Sequence, residues 1–299
     1  MDRLDTLRIL TAEAASGELA FSTSAAAALR VREALEDPDC ELGAAARLIQ
    51  AEPLLSARVV AVANSAAFNR SGRGVTDVRA AVTLLGFRTV RSLATALVVR
   101  QMAGMPESPA HRDLALRLWE HSANVAALAQ VIARLITRQD PETALFAGMV
   151  HEIGGFYLIS RARDFPGLMQ GDPRQWLGED QEEGEPDDRS APDERAERST
   201  PESEIGRAVL KALSVPEPVV AAVEVLWKGY LSFPPATLGD TLLLADQLTT
   251  VRSPLLQGPG RSRQETAGTI DLMLEDETLG AKLENAAAEV ESLAAALRF

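Results

Sequence analysis

The chain has 299 residues, a formal net charge of −13, 46% hydrophobic residues and only 4% aromatic ones. Its single cysteine, Cys40, excludes an intramolecular disulfide and a thiolate metal cluster, and fits a reducing cytoplasm. The acidity argues against non-specific phosphate binding, the start MDRLDTLRIL carries acids where a signal peptide would not, and no apolar run approaches the ~20 residues of a bilayer span.

Long Ala/Leu/Val segments with few alternating runs predict helices packed by aliphatic side chains. Asp2–Ala15 reads as a short helix closed by Ser16-Gly17, Ser24–Leu35 as a second with a serine N-cap, and about Glu41–Gln50 as a third. Pro53 opens a fourth, with Leu55, Val59, Val62 and Ala63 facing inward, and it runs into Asn64 and Ser65, whose side chains can bond the carbonyls freed at a helix end. The basic, glycine-containing loop Asn69–Gly74 (NRSGRG) is either an exposed turn or a cradle for an anion. Thr76-Asp77 caps a helix whose apolar face is Val78, Ala81, Val82 and Leu85. Gly86 ends it as a left-handed cap, Phe87–Met102 forms the next helix, and Gly104–Pro109 closes the first half.

The second half opens with the longest periodic pattern, about His111–Thr137. Leu114, Leu118, His121, Val125, Leu128, Ile132 and Leu135 recur there at spacings of four and three. His121 thus fills a position the pattern reserves for an apolar residue, and a buried imidazole needs a partner. That partner is either a backbone carbonyl or the pair His151-Glu152.

The pair lies in Pro141–Arg161 (PETALFAGMVHEIGGFYLISR), where Asp140 supplies the N-cap and Pro141 the first helical position. Leu145, Phe146, Met149, Val150 and Ile153 form its broad apolar face. Ala144, Gly148, His151 and Gly155 make a narrower stripe in which small residues admit another helix; Gly154 lies beside it. A histidine next to a carboxylate in such a crevice serves as a metal ligand or proton shuttle, or else as a satisfied core pair.

From Glu179 to Glu204 twelve acids stand against three arginines, a local net of −9. With almost no apolar residues and several prolines, Gly171–Ser203 is expected to be a disordered acidic insertion, either a solvated linker or a decoy for a basic partner. Helices follow at Ser203–Leu213, at Val219–Gly229 after Pro216 and Pro218, and at Leu238–Val251, where Asp246 comes directly after Leu242–Ala245. Leu279, Leu283, Ala286, Val290, Leu293 and Leu297 form a last stripe that either packs back on the body or pairs two chains.

With these pieces placed, the chain resembles the HDOD family, the signalling branch of the HD-domain superfamily. The matching stretches are AEPLLSARVVAVANSAAF (51–68), VTDVRAAVTLLGFRTVRSL (75–93), LWEHSANVAALA (118–129) and ETALFAGMVHEIGGFYL (142–158). Weaker similarity runs through 204–227 and 242–248. The resemblance implies an all-α domain of several helices over residues 17–251, in halves 17–104 and 110–251. A helix over 1–16 precedes it and a helical tail over 252–299 follows.

By position His121 is similar to the first metal histidine of catalytic HD relatives, which hydrolyse phosphate esters with bound metals. His151 and Glu152 stand for the His-Asp pair, with Glu in place of Asp, and Asp246 for the final aspartate. Ser203 and Trp227-Lys228 stand where relatives often carry further histidines. The expectation is therefore a non-catalytic, cytoplasmic, bacterial signalling protein with a degenerate metal site and no cofactor. It would bind a protein partner or a small signal, and neither nucleic acid nor membrane. The alternative is a residual metal-dependent phosphohydrolase. Asn64, Ser65, Gly86, Gly148 and Gly154 are structural or partner-binding candidates.

Overall fold

The computed structural model describes residues 3–16, 26–102, 108–165, 168, 201–228, 231–232, 234–255 and 279–298. Within them the regular structure is helical, with no strand. Most of the expected insertion, 171–200, lies outside the described residues, as do Ser24 and Gly104.

Five helices make the first half: α1 (Arg3–Ser16), α2 (Ala26–Ala34), α3 (Leu42–Gln50), α4 (Pro53–Ala63) and α5 (Val78–Met102). Asp77 caps α5 by accepting from the Ala80 N–H at 2.8 Å. Gly86 interrupts α5 at φ 77°, ψ 161°, so the run consists of two helices joined across a kink. The positive φ matches the expected glycine, but the extended ψ differs from the left-handed cap anticipated there.

In the second half come α6 (Pro109–Ile132), α7 (Pro141–Val150), α8 (Ile153–Arg161), α9 (Pro201–Ala212), α10 (Glu217–Lys228) and α11 (Leu238–Leu248). The tail supplies α12 (Leu279–Asn285) and α13 (Ala287–Leu297). α6 and α7 make the most extensive pairing in the molecule. Gly148 explains how close they come: a Cβ placed on it would stand 2.4 Å from Ala126 Cα and 2.7 Å from Ala126 N. Only a residue without a side chain fits against that backbone.

The tail packs back on the body. Leu293, Ala294 and Leu297 are fully buried, and α13 lies against both α4 and α6. The Leu297 carbonyl accepts from the Arg58 guanidinium of α4 and, at 2.9 Å, from Trp119 Nε1 of α6. Glu289 forms a two-pronged ion pair with Arg134, both contacts 2.7 Å.

Three boundaries differ from the sequence reading. Pro141–Arg161 is two helices with a turn at His151-Glu152, because the His151 ring donates to the Gly148 carbonyl and so competes with the helical ladder. The long helix of α6 gives way at Ala133 to a π-turn ending at Thr137, and Arg138 reverses the chain at φ 57°. The last helix of the second half stops at Leu248, leaving Thr249–Leu255 as irregular chain. The expectation about apolar runs also needs a correction: Val78–Gln101 is long and apolar enough to cross a membrane by length and composition. Two-thirds of its apolar window (67%) is buried in the protein, and the Gly86 break falls within it, as in a core helix.

Candidate functional site

Three elements converge on one polar point in an aliphatic core. α6 presents His121, flanked by the buried Leu118 and Val125 of the same stripe. His151 stands at the C-cap of α7, and Glu152 is the residue before α8. α11 brings Asp246, and its start is fixed by a capping box in which the Thr237 hydroxyl and the Asp240 carboxylate bond each other's backbone N–H.

His121 and His151 are 1% and 3% exposed, and their Nε2 atoms lie 3.1 Å apart. Asp246 Oδ1 is 3.2 Å from His121 Nε2, whereas Glu152 Oε1 stays at 3.8 Å, beyond hydrogen-bond distance. The outer nitrogens are both tied to backbone. His121 Nδ1 donates to the Val251 carbonyl at 2.7 Å, and His151 Nδ1 to the Gly148 carbonyl at 2.8 Å. A carbonyl only accepts, so each Nδ1 carries a hydrogen, and in a neutral ring the Nε2 is then a bare lone pair.

Two lone pairs at 3.1 Å repel unless something positive stands between them or on one of them. Electrostatics names the ring that takes the proton. Burial works against a charge on His121, but the Asp246 hydrogen bond and the Glu152 and Asp246 charges outweigh it and raise its pKa. Burial lowers the pKa of His151, opposed by the charge of Glu152 and helped by that of His121. Burial disfavours the Asp246 carboxylate, yet its hydrogen bond to His121 and the charge of that ring hold its pKa below the ordinary value. With His121 protonated, its Nε2–H is shared between the bare Nε2 of a neutral His151 and the ionised Asp246, and the clash of lone pairs is removed.

The same donors fit a divalent cation. Among the described residues, His121, His151 and Asp246 form the group whose ligand atoms converge, all within 4.8 Å of one another. Neighbouring donors around a tetrahedral cation with bonds of about 2.1 Å stand about 3.4 Å apart, a little wider than the contacts His121 Nε2 makes with His151 and Asp246. The carbonyls on the two Nδ1 atoms fix the tautomers a metal needs.

Glu152 borders the group without bonding His151. Ser203, 9% exposed, is on α9, and Trp227 packs against Gly206 and under the Arg207 guanidinium. The Asn64 amide closes the loop after α4: Nδ2 donates to the Val60 and Val75 carbonyls at 3.0 and 2.7 Å, and Oδ1 accepts from the Val75 N–H at 2.8 Å. Ser65 Oγ donates to the Val62 carbonyl at 2.7 Å, and Gly154 lies where α8 meets Gly206 of α9. The sequence reading allowed His121 a backbone carbonyl as partner, which Val251 supplies, but it could not name that residue and did not foresee the Gly148 carbonyl on His151. Every residue has a carbonyl, so residue type carries no signal for them.

The HDOD domain profile matches residues 22–228. The chain belongs to the HDOD family. Asp246 lies past the matched stretch and still reaches the cluster. The HDOD chain is similar in fold to a protein from Shewanella amazonensis SB2B whose name provisionally makes it a metal-dependent phosphohydrolase: TM-score 0.70, 22% identity, 99% of each chain covered. It is also similar to an HDOD domain protein of unknown function from Geobacter sulfurreducens (TM-score 0.60, 20% identity, 98% of each chain covered). A Marinobacter aquaeolei VT8 chain, provisionally named a signal transduction protein, gives TM-score 0.53 at 19% identity, with 94% of this chain and 60% of that one covered. At these identities the likeness is one of fold, an all-α HDOD architecture. A search of curated proteins finds no match.

Proposed function

We propose that this HDOD chain is a regulatory module in bacterial signal transduction, working in the cytoplasm by binding a protein partner or a small signal rather than by turning over a substrate. The observation that supports this reading is how few donors converge: among the described residues His121, His151 and Asp246 form the group, with both rings buried. The chain has three histidines in all, and His111 lies at the start of α6, ten residues before His121 and about 15 Å away along the axis. Among the described residues the converging donors are three, fewer than a two-metal centre takes. The cluster serves instead as a polar joint tying α6, α7 and α11 together, closed by a proton or by one cation.

The test is the metal content of the purified chain together with assays against cyclic dinucleotides and bis(p-nitrophenyl) phosphate in added Mn²⁺. At most one metal per chain and no turnover is the expected result. Turnover that disappears in both His121→Ala and His151→Ala overturns it.

A second reading is favoured by the donor triangle itself. His121, His151 and Asp246 would hold a single cation, which when bound supplies Lewis acidity toward a phosphoryl oxygen and an acidified water. In that reading Glu152, 16% exposed at the edge of the cluster, is the carboxylate placed to take a proton from that side.

A further inference from the structure

The irregular chain after α11 touches the cluster at two places. The Val251 carbonyl holds His121 Nδ1 at 2.7 Å. Four residues later Leu255, 7% exposed, fills the space beside Gly155 on α8. A Cβ on Gly155 would stand 2.4 Å from Leu255 Cδ1, 3.1 Å from Leu118 Cδ2 and 3.7 Å from Glu152 Oε2. Leu255 therefore sits between Leu118, one turn before His121, and the first turn of α8, just past His151. Gly155 is its seat, and a side chain there forces the end of Leu255 to shift.

The strap is stiffened from within. Thr249 Oγ1 lies 3.3 Å from both the N–H and the carbonyl oxygen of Val251, and Ser253 Oγ accepts from the Leu255 N–H at 3.2 Å. It bonds other elements through the Thr249 N–H, which donates to the Ala245 carbonyl of α11 at 3.0 Å, and through the Val251 carbonyl, which accepts from His121. A short irregular segment with few hydrogen bonds to its neighbours opens at lower free energy than the helices beneath it.

We infer that Thr249–Leu255 is a latch over the His121–His151–Asp246 cluster, released when Leu255 leaves its seat at Gly155. Release does two things at once. It uncovers the cluster, and it withdraws the acceptor that fixes the His121 ring, which is then free to turn. A partner or signal that engages the strap thereby reaches the polar joint between the helices. The purpose of the latch rests on the regulatory reading above, but its existence does not.

The experiment is modification by diethyl pyrocarbonate, which acylates accessible imidazoles, read at each histidine by peptide mass spectrometry on the full chain. His111, half-buried at the start of α6, is the internal reference. Leu255→Ala empties the seat and Gly155→Val blocks it, and each should raise the modification rate of His121 by roughly tenfold or more while leaving His111 unchanged. Ile49→Ala, in the buried face of α3 far along the chain from the strap, is the control for general loosening and should leave His121 protected. If His121 stays as protected in Leu255→Ala and Gly155→Val as in the unaltered chain, the latch is disproved. Equal acceleration in Ile49→Ala disproves it too. Metal content and turnover play no part in this readout, so the latch and the regulatory reading can fail separately.

Discussion

His121 and His151 meet Nε2 to Nε2 at 3.1 Å while each Nδ1 is held by a carbonyl, so a proton and a cation compete for the same small volume. Binding a cation must release the proton first. Added Zn²⁺ should therefore raise the melting temperature little near neutral pH and more as the pH rises, because a ligand stabilises in proportion to its affinity for the folded state. Melting curves over a pH series check this, with His151→Ala expected to show no gain. A shift that is large at neutral pH and shrinks toward alkali contradicts the proton competition.

The protonation pattern fixes the pH dependence of stability. The folded-state pKa of His121 is raised, so its contribution is complete below the ordinary histidine value of about 6.5 and is lost as pH climbs through the raised value. Those of His151 and Asp246 are lowered, so their contributions are present above the ordinary values and are lost as pH falls through the depressed ones. Urea unfolding should thus show an alkaline decline in stability as His121 loses its proton. In Asp246→Asn that decline should flatten, since the carboxylate is the leading partner that raises His121. An unchanged alkaline slope in the variant means that His121 is not the group responsible.

Gly148→Ala should be among the more costly small substitutions in the chain. The new methyl meets the Ala126 backbone at 2.4 Å, and backbone cannot rotate away as a side chain can. α6 and α7 must separate, at roughly 2–3 kcal/mol. Because α6 carries His121 and α7 ends at His151, the two rings separate as well, and the Zn²⁺ response should weaken along with the melting temperature.

Asn64 supports the loop after α4 through three hydrogen bonds of one amide. The side chain is exposed, so water softens the loss, and Asn64→Leu should cost about 1–2 kcal/mol in chemical denaturation. Asn64→Asp keeps an acceptor for the Val75 N–H but has no donor for the Val60 and Val75 carbonyls, and should fall between the two. Equal stability of all three chains would remove the amide from any structural role.

Much of the architecture is written in patterns that require no partner to interpret. The four-and-three stripe of α6 is helical whatever packs on it, and the same stripe makes His121 conspicuous as a polar residue at a buried position. The Asp140-Pro141 start and the Asp77 cap are local chemistry, readable in a few residues. What could not be read is set by distance along the chain. The turn at His151 depends on a ring bond that breaks a helix its residues otherwise favour, and the carbonyl of Val251 comes from 130 residues beyond His121. Local periodicity has no term for either. Leu255 is one apolar residue in an irregular stretch, and only the seat at Gly155 gives it meaning.

The docking of α13 also orders events during synthesis. Its Leu297 carbonyl joins Arg58, 239 residues earlier, to Trp119, and its buried leucines fill the gap between α4 and α6. Until a ribosome has made that last helix, the two halves lack the piece that covers their shared flank, and the nascent chain carries exposed leucine and valine surface. Contacts so distant in sequence form late and slowly. A chain released before Leu297 should therefore depend heavily on chaperones.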